Sequence, residues 1–271
     1  MTGRSDAMGD DSYTLGYGRA VMSWLLARTP ESHAPLLLPH LKPGASLLDC
    51  GSGPGKLTMD FAVRLAPGEV VGIDIEATQV AAANEAARSK NLHNVRFEQA
   101  SIYELPFTDE TFDLSFCGAV LGHLREPRRA VAEIHRVLKP GGLAVFREFD
   151  NAGDLFFPRP PLIDKSIRLY ADMLTEKGQH RDGGRKLKSW LRGTGFALTA
   201  LDATFEVFDS ASYSEAAAVL YREQLGPYLV STGRLTPGEV DEIVEAWHAM
   251  RDDPDAFIAA AWVDAAARKP R

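Results

Sequence analysis

The sequence predicts an α/β protein, doubly wound around a mostly parallel sheet. Three observations carry this. Short apolar runs alternate with longer helical patterns between residues 46 and 149, the signature of βαβ units whose strands are buried on both faces. A glycine-rich turn directly follows the first of these runs, in LLDCGSGPGKLT at 47–58. An acidic residue closes the second, in EVVGIDI at 69–75.

Taken in order, residues 1–12 are small, polar and acidic and read as a disordered tail. Apolar patterning from Tyr13 to Arg28, with Trp24, Leu25 and Leu26, predicts a helix, and 13–35 is expected to form an N-terminal lid. Pro39 and Pro43-Gly44 mark a helix end and a turn. Strands are expected at 46–50, 69–75, 95–100, 112–118 and 142–149, with helices near 56–66, 77–90 and 126–138. Beyond Asp150 the alternation changes: the proline-rich turn FFPRPP, helical stretches 161–178 and 184–193, then FALTALDATFEVF. Two more helical segments follow near 212–226 and 236–250. Substrate-binding inserts are expected at about 151–183 and 210–252. The run AFIAAAWVDAAARKP suits a helix by its alanines and a strand by its continuous apolarity. No internal repeat is visible.

The 271 residues, 45% of them hydrophobic, suffice for one large domain with an elaborated cap. With 37 acids against 30 bases, for a formal charge of -7, the chain has no broad basic surface for a phosphate backbone. Cys50 and Cys117 belong to no CxxC or Cys/His cluster, which argues against a disulfide framework and a structural metal site. No apolar run approaches a membrane span or a secretion signal. The expectation is a cytoplasmic protein that binds neither nucleic acid nor membrane.

Glycines after a strand let the chain turn tightly and let a ligand approach the backbone. A P-loop would need glycine at position 56, where Lys56 stands, and Ser or Thr after the Gly-Lys pair, where Leu57 stands. A dinucleotide loop would place its third glycine one residue later than Gly55, and Asp49 would repel a pyrophosphate. The pattern is instead DxGxGxG, with Asp74 at the end of the next strand, placed to accept from both hydroxyls of a ribose. Asp49 is placed for a cation. A phosphate-free nucleoside with a cationic amino-acid end describes S-adenosylmethionine.

With these residues in hand, the chain resembles class I S-adenosylmethionine-dependent methyltransferases, in the small-molecule branch that includes quinone-biosynthesis and natural-product enzymes. LLDCGSGPG, VVGIDI, VRFEQASIYELPFTDETFDLSF, VLGHLREPRRAVAEIHRVLKPGG and LRGTGF carry the match, in that order, over about residues 36–200. The resemblance implies a Rossmann-like, seven-stranded sheet over 36–271, whose last strand, at 257–267, is antiparallel. It implies that Asp49, Gly51, Ser52, Gly53 and Gly55 hold the methionine end and Asp74 the ribose, with Ile75 on the adenine. Where the family often has Gly-Asp-Ala, this chain has Ala100-Ser101-Ile102, so the adenine-amino contact falls to Ser101, beside Ile102. Cys117 in FCG becomes a wall residue next to backbone carbonyls that face the methionine ammonium.

A sulfonium methyl is already electrophilic, so the protein must align a nucleophile, exclude water and, for some acceptors, remove a proton. Candidate bases belong at C-terminal strand ends or on a lid. Glu148 and Asp150, in FREFD, and His123, in VLGHLREP, fit. Arg147 and Glu148 alternate along one strand and must face opposite ways. Tyr13 and Tyr17, four apart, would share one face of the lid helix and cover the methyl with phenol oxygens. Arg28 would meet the methionine carboxylate. Apolar residues after Asp150, among them Phe156, Phe157, Ile163, Met173, Tyr213 and Tyr221, suit an aromatic or isoprenoid-like acceptor. The expected partner is therefore a small-molecule methyl acceptor in secondary metabolism, and a homo-oligomer is compatible with the sequence. No metal is called for. The alternative is a non-catalytic S-adenosylmethionine-binding or regulatory protein.

Overall fold

The computed structural model describes residue 22 and residues 25–271. The tail at 1–12, and Tyr13 and Tyr17, lie outside the described residues. The chain leaves a helical stretch at Arg28, and Thr29 caps a new short helix, α1 (Pro30–His33), through a reciprocal bond with Ser32.

The chain divides into two units. The first comprises residues up to Phe149, Asp182–Ala203 and Val263–Arg271. Its elements follow the expected alternation: β1 (Leu47–Cys50), α2 (Lys56–Leu65), β2 (Val70–Asp74), α3 (Ala77–Ser89), β3 (Val95–Gln99), β4 (Phe112–Gly118), α4 (Pro127–Val137), β5 (Leu138–Phe149) and α6 (Gly183–Leu191), to which β7 (Ala197–Phe208) and β8 (Phe257–Arg268) contribute their outer halves. The strand order is β3-β2-β1-β4-β5-β8, with β7 paired to β8. β1, β2, β3, β4 and β5 are parallel, and β1, β2 and the middle of β5 are continuously buried, which is why they read as unbroken apolar runs. β8 runs against β5: Gly141 N donates to Lys269 O at 2.8 Å near the start of β5. The terminal apolar run is thus a strand. The alanines' helix propensity loses to the backbone bonds that a sheet neighbour offers.

Two clusters seal this sheet. One joins Phe146, Ile134, Leu121 and Trp190; the other joins Leu47, Phe61, Phe116 and Val145. Cys50 and Cys117 lie side by side in register on β1 and β4 and are both free.

The second unit comprises Asp150–Arg181 and Thr204–Trp262. It holds β6 (Leu155–Phe157), α5 (Pro161–Glu176), α7 (Ser210–Leu220), a π-turn at Tyr221–Leu225, α8 (Gly226–Ser231) and α9 (Pro237–Asp252). β6 makes the sheet eight-stranded, one more than the expected seven. The segment read as a proline-rich turn first pairs antiparallel with β8, Leu155 opposite Ala259, and Pro158 ends it because proline donates no ladder bond. Ile163, Met173 and Tyr221, read as pocket residues, are core here, packed with Trp247 and Leu229. Phe157 is 62% exposed.

Candidate active site

The first unit gathers its acids at the C-terminal ends of the parallel strands. After β1 the chain turns through Gly51, Gly53 and Gly55, each at positive φ (77°, 51° and 75°). Gly51 N and Ser52 N both donate to Ile73 O, at 2.8 and 2.9 Å, which folds the loop back onto β2. The glycines serve different ends. A Cβ on Gly51 would come within 2.3 Å of Val120, and one on Gly55 within 2.6 Å of Phe97. Gly53 faces open space, with nothing within 4 Å of where its Cβ would be. Only there does the missing side chain leave room for a ligand.

Asp49 is almost fully buried and accepts a hydrogen bond from Thr58 Oγ1 at 2.5 Å. Burial pushes its carboxyl up to about 7; Thr58 opposes this, Asp74 adds to it, and the Arg28 guanidinium draws it back. Asp74 accepts from Gly53 N at 2.8 Å and from Glu76 N at 3.0 Å. Burial raises its pKa against the pull of these backbone donors. Two neighbouring buried acids are costly to ionise together. Arg28, expected at the methionine carboxylate, is close enough to bias both Asp49 and Glu148.

The remaining cofactor candidates lie around this centre. Ser52 Oγ is buried without a hydrogen-bond partner. Ile75 O accepts from Gln99 Nε2 at 3.0 Å. Ala100 N donates to Asp74 O at 3.1 Å, which carries the following segment past β2. Ser101 Oγ accepts from Tyr103 N at 3.3 Å. Ile102 and Cys117 pack in the same core cluster, and burial pushes the Cys117 thiol up.

The candidate bases separate. Glu148 is fully buried: its Oε1 accepts from Val120 N at 2.7 Å and its Oε2 from Gly122 N at 3.0 Å. Burial pushes it up to about 8, against those donors and Arg28. Arg147 points the other way, as alternation requires, and pairs with buried Asp264 at 2.5 Å. His123 ends the short turn Leu121–His123, its ring 5.2 Å from that of Phe149. Asp150 belongs to the second unit, where its backbone N–H donates to Ala261 O at 2.8 Å.

That unit has polar chemistry of its own. Asp154 accepts from Ala261 N at 2.9 Å and from Asn151 Nδ2 at 3.0 Å, and Arg181 donates to Asn151 O at 2.8 Å. Tyr213 is pushed up by burial and by Asp154. Its ring lies about 6 Å from those of Phe156 and Trp247, at 6.1 Å each. Trp247 Nε1 is buried with no hydrogen-bond partner.

Thr58, Val120 and the Glu148 anchor escaped the sequence reading. Thr58 had a weak signal, a hydroxyl on the buried face of the helix that follows the glycine loop.

A family profile described as a methyltransferase domain matches residues 41–195. The chain is 29% identical over 255 residues to an uncharacterized methyltransferase of Schizosaccharomyces pombe, covering 88% of this chain and 91% of that one. It is 31% identical over 177 residues to the ubiquinone/menaquinone biosynthesis C-methyltransferase UbiE of Stutzerimonas stutzeri, covering 56% of this chain and 69% of the relative. The YcgJ protein of Bacillus subtilis shares the fold, with a TM-score of 0.60 at 20% identity over 88% of this chain and all of that one, 100%. The chain belongs to the methyltransferase-domain family. It is an S-adenosylmethionine-dependent methyltransferase of the class I fold.

The residues fit that cofactor. The open backbone at Gly53 admits it, and the buried Asp49 carboxyl would be favoured in its charged form by the cationic amino-acid end. Both Asp74 oxygens keep a lone pair for hydroxyl donors beyond the backbone bond each accepts.

Proposed function

We propose that the enzyme methylates a small aromatic or isoprenoid-like metabolite by in-line displacement. The observation that supports this is the second unit's combination of edge-to-face and tilted aromatic rings with a buried, unpartnered indole N–H and a carboxylate. Such a set suits an apolar ring system bearing an oxygen that can accept one hydrogen bond. UbiE, a relative, is named for a C-methyltransferase of quinone biosynthesis, which is compatible with an acceptor of this class.

When bound, S-adenosylmethionine supplies an electrophilic methyl group on a sulfonium. We assign the methionine end to Asp49, Ser52, Gly53 and Arg28, the ribose to Asp74, and the adenine to Ile75, Ser101 and Ile102. Asp49 balances the ammonium and the glycine loop excludes water from that end. His123 takes the acceptor proton where the acceptor carries one; Asp150 is the second candidate, and Tyr13 and Tyr17 remain proposed lid residues. The reading places the enzyme in secondary metabolism in the cytoplasm, consistent with two free, buried cysteines and with the absence, among the described residues, of a helix able to cross a membrane.

The test is incubation with methyl-labelled S-adenosylmethionine and a panel of aromatic, quinone, indole and prenyl-type acceptors, read by mass spectrometry. A labelled product from at least one of these classes is expected. Transfer to none of them, with the cofactor bound, would contradict the acceptor class and favour a regulatory S-adenosylmethionine-binding role.

A further inference from the structure

The turn after β4 is held in an unfavourable shape by the end of β5. Ala119 carries φ of 57°, a region that residues with a Cβ rarely adopt. Its N–H donates to Arg147 O at 2.7 Å. The next residue of β5 supplies the rest of the anchor, since the Glu148 carboxylate accepts from Val120 N and Gly122 N, at 2.7 and 3.0 Å. A carboxyl is well suited to this, because its two oxygens can each accept from one of the two backbone donors. Gly183, at the start of α6, leaves the space: a Cβ there would stand 3.2 Å from Glu148 Oε2 and 3.4 Å from Gly122 Cα.

What the anchored turn touches gives it a purpose. The Val120 side chain lies against Gly51, so close that a Cβ on that glycine would be 2.3 Å away. His123 N donates back to Val120 O at 2.9 Å, so the histidine's place is set by the same turn. Glu148 itself is fully buried and cannot meet an acceptor.

We propose that Glu148 is a positioning residue, holding the strained turn 119–122 so that Val120 closes the glycine loop around the cofactor and His123 stands at the turn's end. The inference deepens the proposed function and rests on it. It replaces the expectation that Glu148 is a proton acceptor for the methyl-accepting molecule.

The test is calorimetric titration with S-adenosylhomocysteine at 25 °C, on variants confirmed as folded by their melting curves. Glu148→Gln keeps the shape but turns an NH2 toward a backbone N–H. It is expected to weaken binding about tenfold in the wild-type background, and less than threefold in an Ala119→Gly background, where the left-handed turn needs less holding. A residue that serves stability alone would shift the melting temperature without this coupling. Should Glu148→Gln not fold, Gly183→Ala displaces the same carboxylate and is expected to weaken binding several-fold. Wild-type affinity in the variant used, or an equal loss in both backgrounds, would overturn the proposal. Failure of the wild type to bind S-adenosylhomocysteine would instead overturn the cofactor reading on which it rests.

Discussion

The two units satisfy their buried acids differently. In the first, Asp49 and Asp74 sit at parallel strand ends with pKa values raised by burial; Asp74 is met by backbone donors, and Asp49 by the Thr58 hydroxyl and the field of the Arg28 guanidinium. In the second, burial likewise raises the Asp154 carboxyl, but its two oxygens accept from Ala261 N and Asn151 Nδ2, and Arg181 partly offsets its charge. A fold that only needed stability would replace or pair the first two acids, since burying an unpaired carboxylate is costly. Asp49 and Asp74 keep acceptor capacity that a cationic, hydroxyl-bearing ligand would use, while Asp154 is satisfied from within its own unit.

The sharpest way to break this contrast is Asp49→Asn. The amide keeps the Thr58 bond but loses the charge, so S-adenosylmethionine affinity is expected to fall roughly 100-fold, the upper end of a charged hydrogen bond. The melting temperature should hold or rise, because the burial cost is gone. Loss of fold without loss of affinity in the folded fraction would make Asp49 structural.

Next come the glycines. Gly53→Ala adds a Cβ in open space at a left-handed position, worth about 1 kcal/mol of strain and a melting shift of about 2–4 °C. Calorimetry should nevertheless show about tenfold weaker cofactor binding, because that space is the ligand's. Gly51→Ala, which collides with Val120 at 2.3 Å, should cost about 1–3 kcal/mol of stability through overpacking and so lower the melting temperature more than Gly53→Ala does. Equal effects of the two variants on binding would remove the distinction.

The pH dependence is smaller but signed. Asp49 rises from an ordinary 3.8 to about 7 in the folded chain. Between those values the folded state holds a proton that the unfolded state has lost, so this group's contribution to stability declines as pH rises through that window. A cationic ligand favours the ionised form. S-adenosylmethionine should therefore bind more tightly as pH rises toward 7 and release a fraction of a proton at pH 6, seen in titrations across buffers of different ionisation enthalpy. Asp49→Asn should abolish the release.

The smallest expected effect tests the other side. Trp247→Phe keeps an aromatic ring against Tyr213 and removes the unpartnered N–H. Acceptor KM should rise about fivefold, near 1 kcal/mol for one hydrogen bond, with cofactor affinity unchanged. A change in cofactor affinity instead would assign Trp247 a different role.

The same contrast explains what could be read from the residues. Strand ends follow from apolar runs, so Asp49 and Asp74 were placed by sequence spacing alone. The glycine signal gave the turn but not the division of labour, since only the structure shows Val120 against Gly51 and nothing against Gly53. Glu148 was read as a pocket acid because its strand-end position is visible and its partners, 26 and 28 residues away at Gly122 and Val120, are not. β6 escaped because three residues before a proline carry no periodicity, and its partner lies about a hundred residues later in the chain. In the second unit, Phe156 and Tyr213 pack against the same core as Ile163, Met173 and Tyr221, a grouping that residue type alone does not reveal.

The central claim, that the glycine loop and its two strand-end acids seat S-adenosylmethionine, is tested most directly at the ribose. Calorimetric titrations of wild type and Asp74→Ala with S-adenosylmethionine and with its 2′-deoxy analogue form a cycle that cancels any general effect on the loop. The deoxy analogue is expected to bind wild type about tenfold more weakly, as a lost hydrogen bond to a carboxylate requires, and Asp74→Ala as well as the parent does. An equal penalty for the missing hydroxyl in both proteins would contradict the assignment of Asp74 to the ribose.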